Sequence, residues 1–331
     1  MAADPTKTYV AKTLAHTASL VGCRFDPTGK YIFAGGEDNK IVRWELATSA
    51  KVEFTAHESW VHSFVFSANG EILVSGGYDG RLIWWPAADE MPTPIRTVEA
   101  HQGWIRAIAL SPDGKVLASC GNDLKVKLWN MADGMLIREL IGHERHVYHL
   151  AFHPDGKQLV SGDLTAKFIH WEAETGNRVR DFVVASLTKY DTGFMADYGG
   201  PYCMQFSADG KRLVAGGITN VTNAFAGVGN PIIVEIDWET GKESISHLVK
   251  ANINGKVFGL ALHPEGFLIG ATGGGGGGHL YFWKHDSKDE FHTLNLGNTC
   301  RDLSLHPDNL QLATCHHDKN VRISVMAPKP A

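Results

Sequence analysis

The chain has no excess of basic charge. Its 31 Lys and Arg residues stand against 36 Asp and Glu, a net charge of −5. A protein that neutralises phosphates needs the opposite balance, so nucleic acid is excluded as the main ligand. No run of roughly 18 apolar residues occurs, so no membrane-spanning helix is expected. The opening segment MAADPTKTYVAKTLAH lacks the basic head and apolar core of a signal peptide. Cysteine is scarce: Cys23, Cys120, Cys203, Cys300 and Cys315 make an odd number with no CxxC spacing. That excludes a disulfide framework or a zinc motif and leaves five small buried residues. These absences together point to a cytoplasmic protein with no cofactor, no metal and no membrane partner.

Glycine is what the chain has in plenty, 36 of 331 residues, above the usual share of about 7%. Much of it falls in one recurring turn. This reads DPTG from Asp26, SANG from Ser67, SPDG from Ser111, HPDG from His153, SADG from Ser207, HPEG from His263 and HPDN from His306. The steps between turns are 41, 44, 42, 54, 56 and 43 residues. A Pro that presets φ and a Gly that tolerates positive φ suit a tight turn. Runs with apolar–polar alternation flank each turn, such as HSFVF before and EILVSGG after, which is the pattern of strands. A third run follows (KIVRW, RLIWW, KVKLW, KFIHW, PIIVEI, HLYFW, NVRIS), and a more polar fourth leads into the next unit.

Seven four-stranded units at this period resemble WD repeats. Trp44, Trp85, Trp129, Trp171 and Trp283 end third strands; His16, His57, His101 and His143 open units; Asp38, Asp79 and Asp123 stand six residues before a Trp. The resemblance covers essentially the whole chain. It implies an all-β, seven-bladed β-propeller of four antiparallel strands per blade in a single domain over residues 1–331. Residues 6–14 would close the ring as the outer strand of the last blade. It also implies a buried structural relay of His, Ser, Asp and Trp: His57, Ser75, Asp79 and Trp85 in blade 2, and His101, Ser119, Asp123 and Trp129 in blade 3. Such a set repeated at the blade period is structural, not a catalytic triad. The pattern decays at Ala34 in blade 1, at Thr165 where blade 4 would have its Asp, and in blades 5 and 7, which lack the Trp.

Function is sought where the repeats differ. Two insertions, 186–202 and 217–231, and the run Gly273 to Gly278 break the period. Up-and-down topology brings all three connections to one face over blades 5 and 6, where long loops mark a candidate site. The insertions carry Tyr190, Phe194, Met195, Tyr198, Tyr202 and Phe225, which disordered linkers avoid. On the same face, the family resemblance points to the edge positions of each blade: Ser19, Val21 and Glu37; Trp60, His62 and Tyr78; Trp104, Arg106 and Asn122; His146 and Tyr148; Tyr202; Lys256 and Phe258; Arg301 and His317. Trp, Tyr and Arg dominate interface energetics. The reading is a non-catalytic scaffold whose partner is a protein. An enzyme or small-ligand propeller with a channel site, and a structural subunit of a larger assembly, are the alternatives. His153, His263 and His306 lie at equivalent turns of separate blades, too far apart to share an ion. A metal at His316-His317-Asp318 is disfavoured because strand neighbours point to opposite faces. The sequon at Asn220 is read as chance.

Overall fold

In a computed structural model the described residues, 2–330, fold into seven four-stranded antiparallel sheets and one two-stranded hairpin. The first strands of the sheets are Leu20–Phe25, Val61–Phe66, Ile105–Leu110, Val147–Phe152, Cys203–Phe206, Lys256–His263 and Cys300–Leu305. Each touches its two counterparts in neighbouring sheets, so together they form a closed inner ring. The chain is a seven-bladed β-propeller.

Second strands such as Ile72–Gly77 are buried along nearly their whole length, because each blade is covered on both faces by its neighbours. Their side chains are accordingly apolar or small rather than alternating. Outer strands such as Arg178–Val183 are mostly exposed and read as polar. Between blades lie Trp44, Trp85, Trp129, Trp171 and Trp283, each at most 4% exposed. Glycine is required at the seams: a Cβ on Gly22 or Gly35 would lie 2.0 Å from the His62 or Val61 carbonyl oxygen of the next blade.

Blade 7 is completed by the other end of the chain. Thr8–Ala15 pairs antiparallel with Asn320–Met326, from Thr8 opposite Met326 to Ala15 opposite Asn320, with a bulge between Val10 and Lys12. Further hydrogen bonds tie the seams. Ser304 Oγ accepts from Phe25 N at 3.1 Å and Ser63 Oγ from Ile108 N at 3.0 Å. Arg43, 2% exposed, reaches across from blade 1 to the Ala87 and Asp89 carbonyls at 2.8 and 3.0 Å.

The three turn histidines form a second set of ties. His153, His263 and His306 place Nε2 at 3.0, 2.7 and 2.9 Å from the carbonyl oxygens of Gly210, Asn309 and Gly29, each in the following blade. A carbonyl can only accept, so Nε2 carries the proton and donates.

The two insertions are regular structure. The segment 217–231 extends a hairpin, Arg212–Asn223 paired with Val228–Asp237. The segment 186–202 forms most of a short 3-10 turn, Ala185–Leu187, and a hairpin of Thr188–Asp191 with Ala196–Gly199. The glycine run is packed at some positions: Gly276 N donates to Asn254 O at 2.7 Å, and a Cβ on Gly278 would lie 1.9 Å from Asn298 O, whereas Gly274 and Gly275 are exposed.

Candidate functional site

The buried relays come first, because they contain the residue types of a hydrolase. In blade 2, His57 Nε2 is 2.7 Å from Ser75 Oγ, Trp85 Nε1 donates to that Oγ at 2.9 Å, and His57 Nδ1 is 2.9 Å from Asp79 Oδ2. Blade 3 repeats the set with 2.7, 2.8 and 2.8 Å through His101, Ser119, Trp129 and Asp123. The Trp N–H occupies the serine oxygen, so the hydroxyl proton goes to His Nε2 and Nδ1–H goes to Asp. Ser75 and Ser119 are 0% exposed. No substrate reaches them, and the hydroxyl oxygen is not free to attack. Burial alone would raise the Asp79 and Asp123 carboxyls; the histidine hydrogen bonds outweigh it and hold them below their ordinary range.

Blade 4 corrects the sequence reading. Thr165 stands at the expected Asp position, yet the relay is complete. His143 Nδ1 meets Asp163 Oδ2 at 2.8 Å, its Nε2 meets Ser161 Oγ at 2.7 Å, and Trp171 Nε1 donates to Ser161 at 2.8 Å. Asp163 ends the second strand and reaches the same imidazole from two residues earlier, while its other oxygen accepts from Thr165 N and Oγ1. In blade 1, Ala34 supplies no hydroxyl. His16 turns Nε2 to Asp38 at 2.9 Å and leaves Nδ1 unpartnered. In blade 7, His316 is buried between Thr314 Oγ1 and the Asn298 carbonyl, whereas His317 is exposed and Asp318 pairs with Arg322. The three residues face different surroundings.

The channel mouth is built by bulges. In six blades the first strand slips register after its first or second residue, at Leu20/Gly22, Val61/Ser63, Ile105/Ala107, Val147/His149, Val257/Gly259 and Cys300/Asp302. The bulged residue is turned out of the ladder and aimed at the axis. These residues are Val21, His62, Arg106, Tyr148, Phe258 and Arg301; with Tyr202, which precedes the first strand of blade 5, and Tyr78 they line one cavity. All seven blades contribute.

A continuous chain of aromatic and guanidinium contacts runs around this ring from blade 2 to blade 6. Trp60 and His62 lie against Tyr78 with centroids at 5.9 and 5.8 Å; Tyr78 lies flat on Trp104 at 4.2 Å and 2°. The Arg106 guanidinium sits 4.7 Å from the Trp104 ring and 4.9 Å from Tyr148, and its Nε donates to Asn122 Oδ1 at 2.8 Å. Tyr148 touches Tyr202 at 5.5 Å and Tyr202 touches Phe258 at 5.6 Å. Burial, with the nearby charges of Arg106 and Arg301, lowers His62 to about 4, so it is neutral at pH 7. Burial raises the Tyr78, Tyr148 and Tyr202 phenols. Trp104, between Tyr78 and Arg106 in the stack, remains 42% exposed.

The blade 5 hairpins stand beside the mouth, joined to it by Lys256. Its ammonium donates to Tyr198 OH at 2.8 Å and Tyr202 OH at 3.3 Å. The hairpins hold each other: Lys189 Nζ donates to Val221 O at 2.6 Å and Ala224 N to Asp191 Oδ2 at 3.0 Å. Ile218, Val221 and Ala224 are buried under Tyr198 and Tyr202. At the tips Phe194 stacks on Phe225 at 5.9 Å, and they are 51% and 86% exposed; Met195 is 80% and Tyr190 55% exposed. Of the expected partner-binding residues, Trp60, Trp104, His146, Tyr190, Phe194, Tyr198 and Phe225 do not line the cavity.

The sequence reading passed over a buried carboxylate. Glu235 accepts from Arg212 Nη1 at 3.0 Å and meets His247 Nε2 at 3.0 Å and His285 Nδ1 at 2.6 Å, joining blades 5 and 6. An acid inside the apolar run PIIVEI was the available signal.

Residues 7–45, 49–86, 92–130, 134–171 and 290–323 match the family model "WD domain, G-beta repeat". The matches span more than half of the chain, which belongs to the WD-repeat family. Blades 5 and most of blade 6 lie outside them, the same stretch that carries the inserted hairpins and the glycine run. A comparison with curated proteins finds no match. Among the described residues, no helix is long and apolar enough to cross a membrane.

Proposed function

We propose that this propeller is a non-catalytic scaffold that binds a partner protein on the face holding the channel mouth and the blade 5 hairpins. The observation that carries the reading is the stack Trp60–Tyr78–Trp104–Arg106. It is a preordered row of the side chains that dominate interface hot spots, held by its own contacts and open to solvent at Trp104. The stacked tips Phe194 and Phe225 add apolar surface left exposed by the described residues, of the kind that marks interaction sites. Catalysis by the relay serines is disfavoured by their burial and by the Trp N–H on each oxygen. All five cysteines are free and buried, which supports work in a reducing compartment such as the cytoplasm. The test is capture of the partner from the source cell by the wild-type chain and by a Trp60→Ala, Trp104→Ala double variant. The reading expects the captured protein to be lost with an unchanged melting profile. Equal capture by both chains refutes it.

A further inference from the structure

The two arginines of the mouth stand toward blades 7 and 3, with Val21, neutral His62 and Tyr78 between them; toward blades 4, 5 and 6 the lining is Tyr148, Tyr202 and Phe258. Arg106 uses Nε on Asn122, lies over the Trp104 and Tyr148 rings and interacts with the Tyr78 phenol, and it has no ion-pair partner among the described residues. Arg301 makes no side-chain hydrogen bond there. It forms an ion pair with Glu37 at 3.6 Å, beyond hydrogen-bond reach. Asp302 follows Arg301 but is turned inward, where its two oxygens accept from Cys23 N at 2.9 Å and Leu303 N at 2.7 Å. Lys256 adds a third cation, 4.6 Å from the Tyr202 ring.

One end of the channel therefore gathers three cations against a single loosely held carboxylate, on a chain whose net charge is −5. Guanidinium groups in a partly desolvated recess call for acceptors, and their planar fork matches a carboxylate. The aromatic half of the same recess leaves apolar surface beside the anion, which suits a residue within a peptide rather than a free ion.

We propose that the channel mouth receives an Asp or Glu side chain of a partner peptide between Arg106 and Arg301, with an apolar neighbour of that residue lying on Tyr202 and Phe258. This deepens the scaffold reading and rests on it. The acid binds as the anion, and no bond is made or broken.

The test is selection of a phage-displayed library of random dodecapeptides on the immobilised full chain, followed by fluorescence anisotropy of the enriched peptides. The expected peptides share an Asp or Glu next to an aromatic or aliphatic residue. Replacing that acid by Gln or Asn, or using the Arg106→Gln or Arg301→Gln protein, weakens binding by at least ~10-fold. An Arg106→Lys protein retains part of the affinity, and the variants melt with the wild type. Enriched peptides without a common acid overturn the proposal. So do acid-bearing peptides indifferent to both arginines, the absence of any peptide enriched over the double arginine variant, and a ~10-fold preference for phosphoserine over Glu. Peptides lost on Trp60→Ala plus Trp104→Ala but indifferent to both arginines overturn this inference and leave the scaffold reading standing.

Discussion

Replacing Asp163 by Ala should be among the most damaging single changes to a polar residue in this protein. The side chain is 1% exposed and receives His143 Nδ1 at 2.8 Å, Thr165 N at 2.9 Å, Thr165 Oγ1 at 2.8 Å and Lys167 N at 3.2 Å. Burial alone would raise its carboxyl, but the bonds from His143 and Thr165 outweigh that and hold it below the ordinary range. Truncation strands a buried imidazole N–H and two backbone N–H groups. A buried donor left without a partner costs about 1–3 kcal/mol, and breaking such a charged network about 3–5 kcal/mol; about 4 kcal/mol is the expectation. Asp38, the counterpart in blade 1, is the internal control. Its side chain is 24% exposed, it makes one side-chain bond, to His16, and its other oxygen is already unpartnered. Asp38→Ala should cost about 1 kcal/mol, and Thr165→Ala, which removes one hydroxyl from the relay's rim, a similar amount. Urea unfolding reads these differences as midpoint shifts at constant slope. If Thr165→Ala or Asp38→Ala proves as costly as Asp163→Ala, the assignment of the blade 4 relay is wrong.

Stability should also fall as pH drops from 7 toward 5. Burial lowers His62, His149, His170 and His316 to about 4, 3, 4 and 4. Below pH 6.5 the unfolded chain protonates at these four positions while the folded one does not, at about 1.4 kcal/mol per site per pH unit. Asp302, raised by burial to about 6, works in the opposite direction, because the folded state binds its proton first, but it is one group against four. A urea midpoint that stays level or rises over this range contradicts the balance. His263→Ala removes the 2.7 Å tie to Asn309 O and a ring stacked 4.1 Å from Phe267; a loss of about 2 kcal/mol is expected, with faster amide exchange around residue 309. An unchanged midpoint refutes the tie. Deleting residues 1–15 strips the outer strand from blade 7 and bares the edge of Asn320–Met326, so a lower melting temperature and self-association in light scattering are expected. A truncated chain that melts with the full one rejects closure by this strand.

The blade count was legible because the turn from Asp26 to His306 recurs at steps of 41 to 44 residues, apart from the two lengthened steps of 54 and 56. The edge positions were legible for the same reason: once blades are aligned, Val21, His62, Arg106, Tyr148, Phe258 and Arg301 fall in one column. That these residues are turned inward by register slips was not legible, because a bulge is set by pairing across a strand and leaves no mark in composition. Asp163 was missed because a relay fixed by spacing to Trp171 expects its acid at residue 165, whereas a carboxylate at the end of the second strand reaches the same imidazole. The insertion 217–231 gave little strand signal, because Asn, Thr and Gly there alternate weakly; its order comes from burial of Ile218, Val221 and Ala224 under Tyr198 and Tyr202. The role of Lys256 as a bridge between mouth and hairpins depends on two tyrosines 54 and 58 positions away, a long-range contact that no local pattern reports.

The central claim is that side chains from all seven blades converge on one docking face. Hydrogen–deuterium exchange of the chain with and without its captured partner addresses this directly. Protection is expected at residues 60–62, 78, 104–106, 146–148 and 188–202, with none at the turns that begin at Asp26, Ser67 and Ser111 on the opposite face. Protection confined to those turns, or to the outer strands, contradicts it.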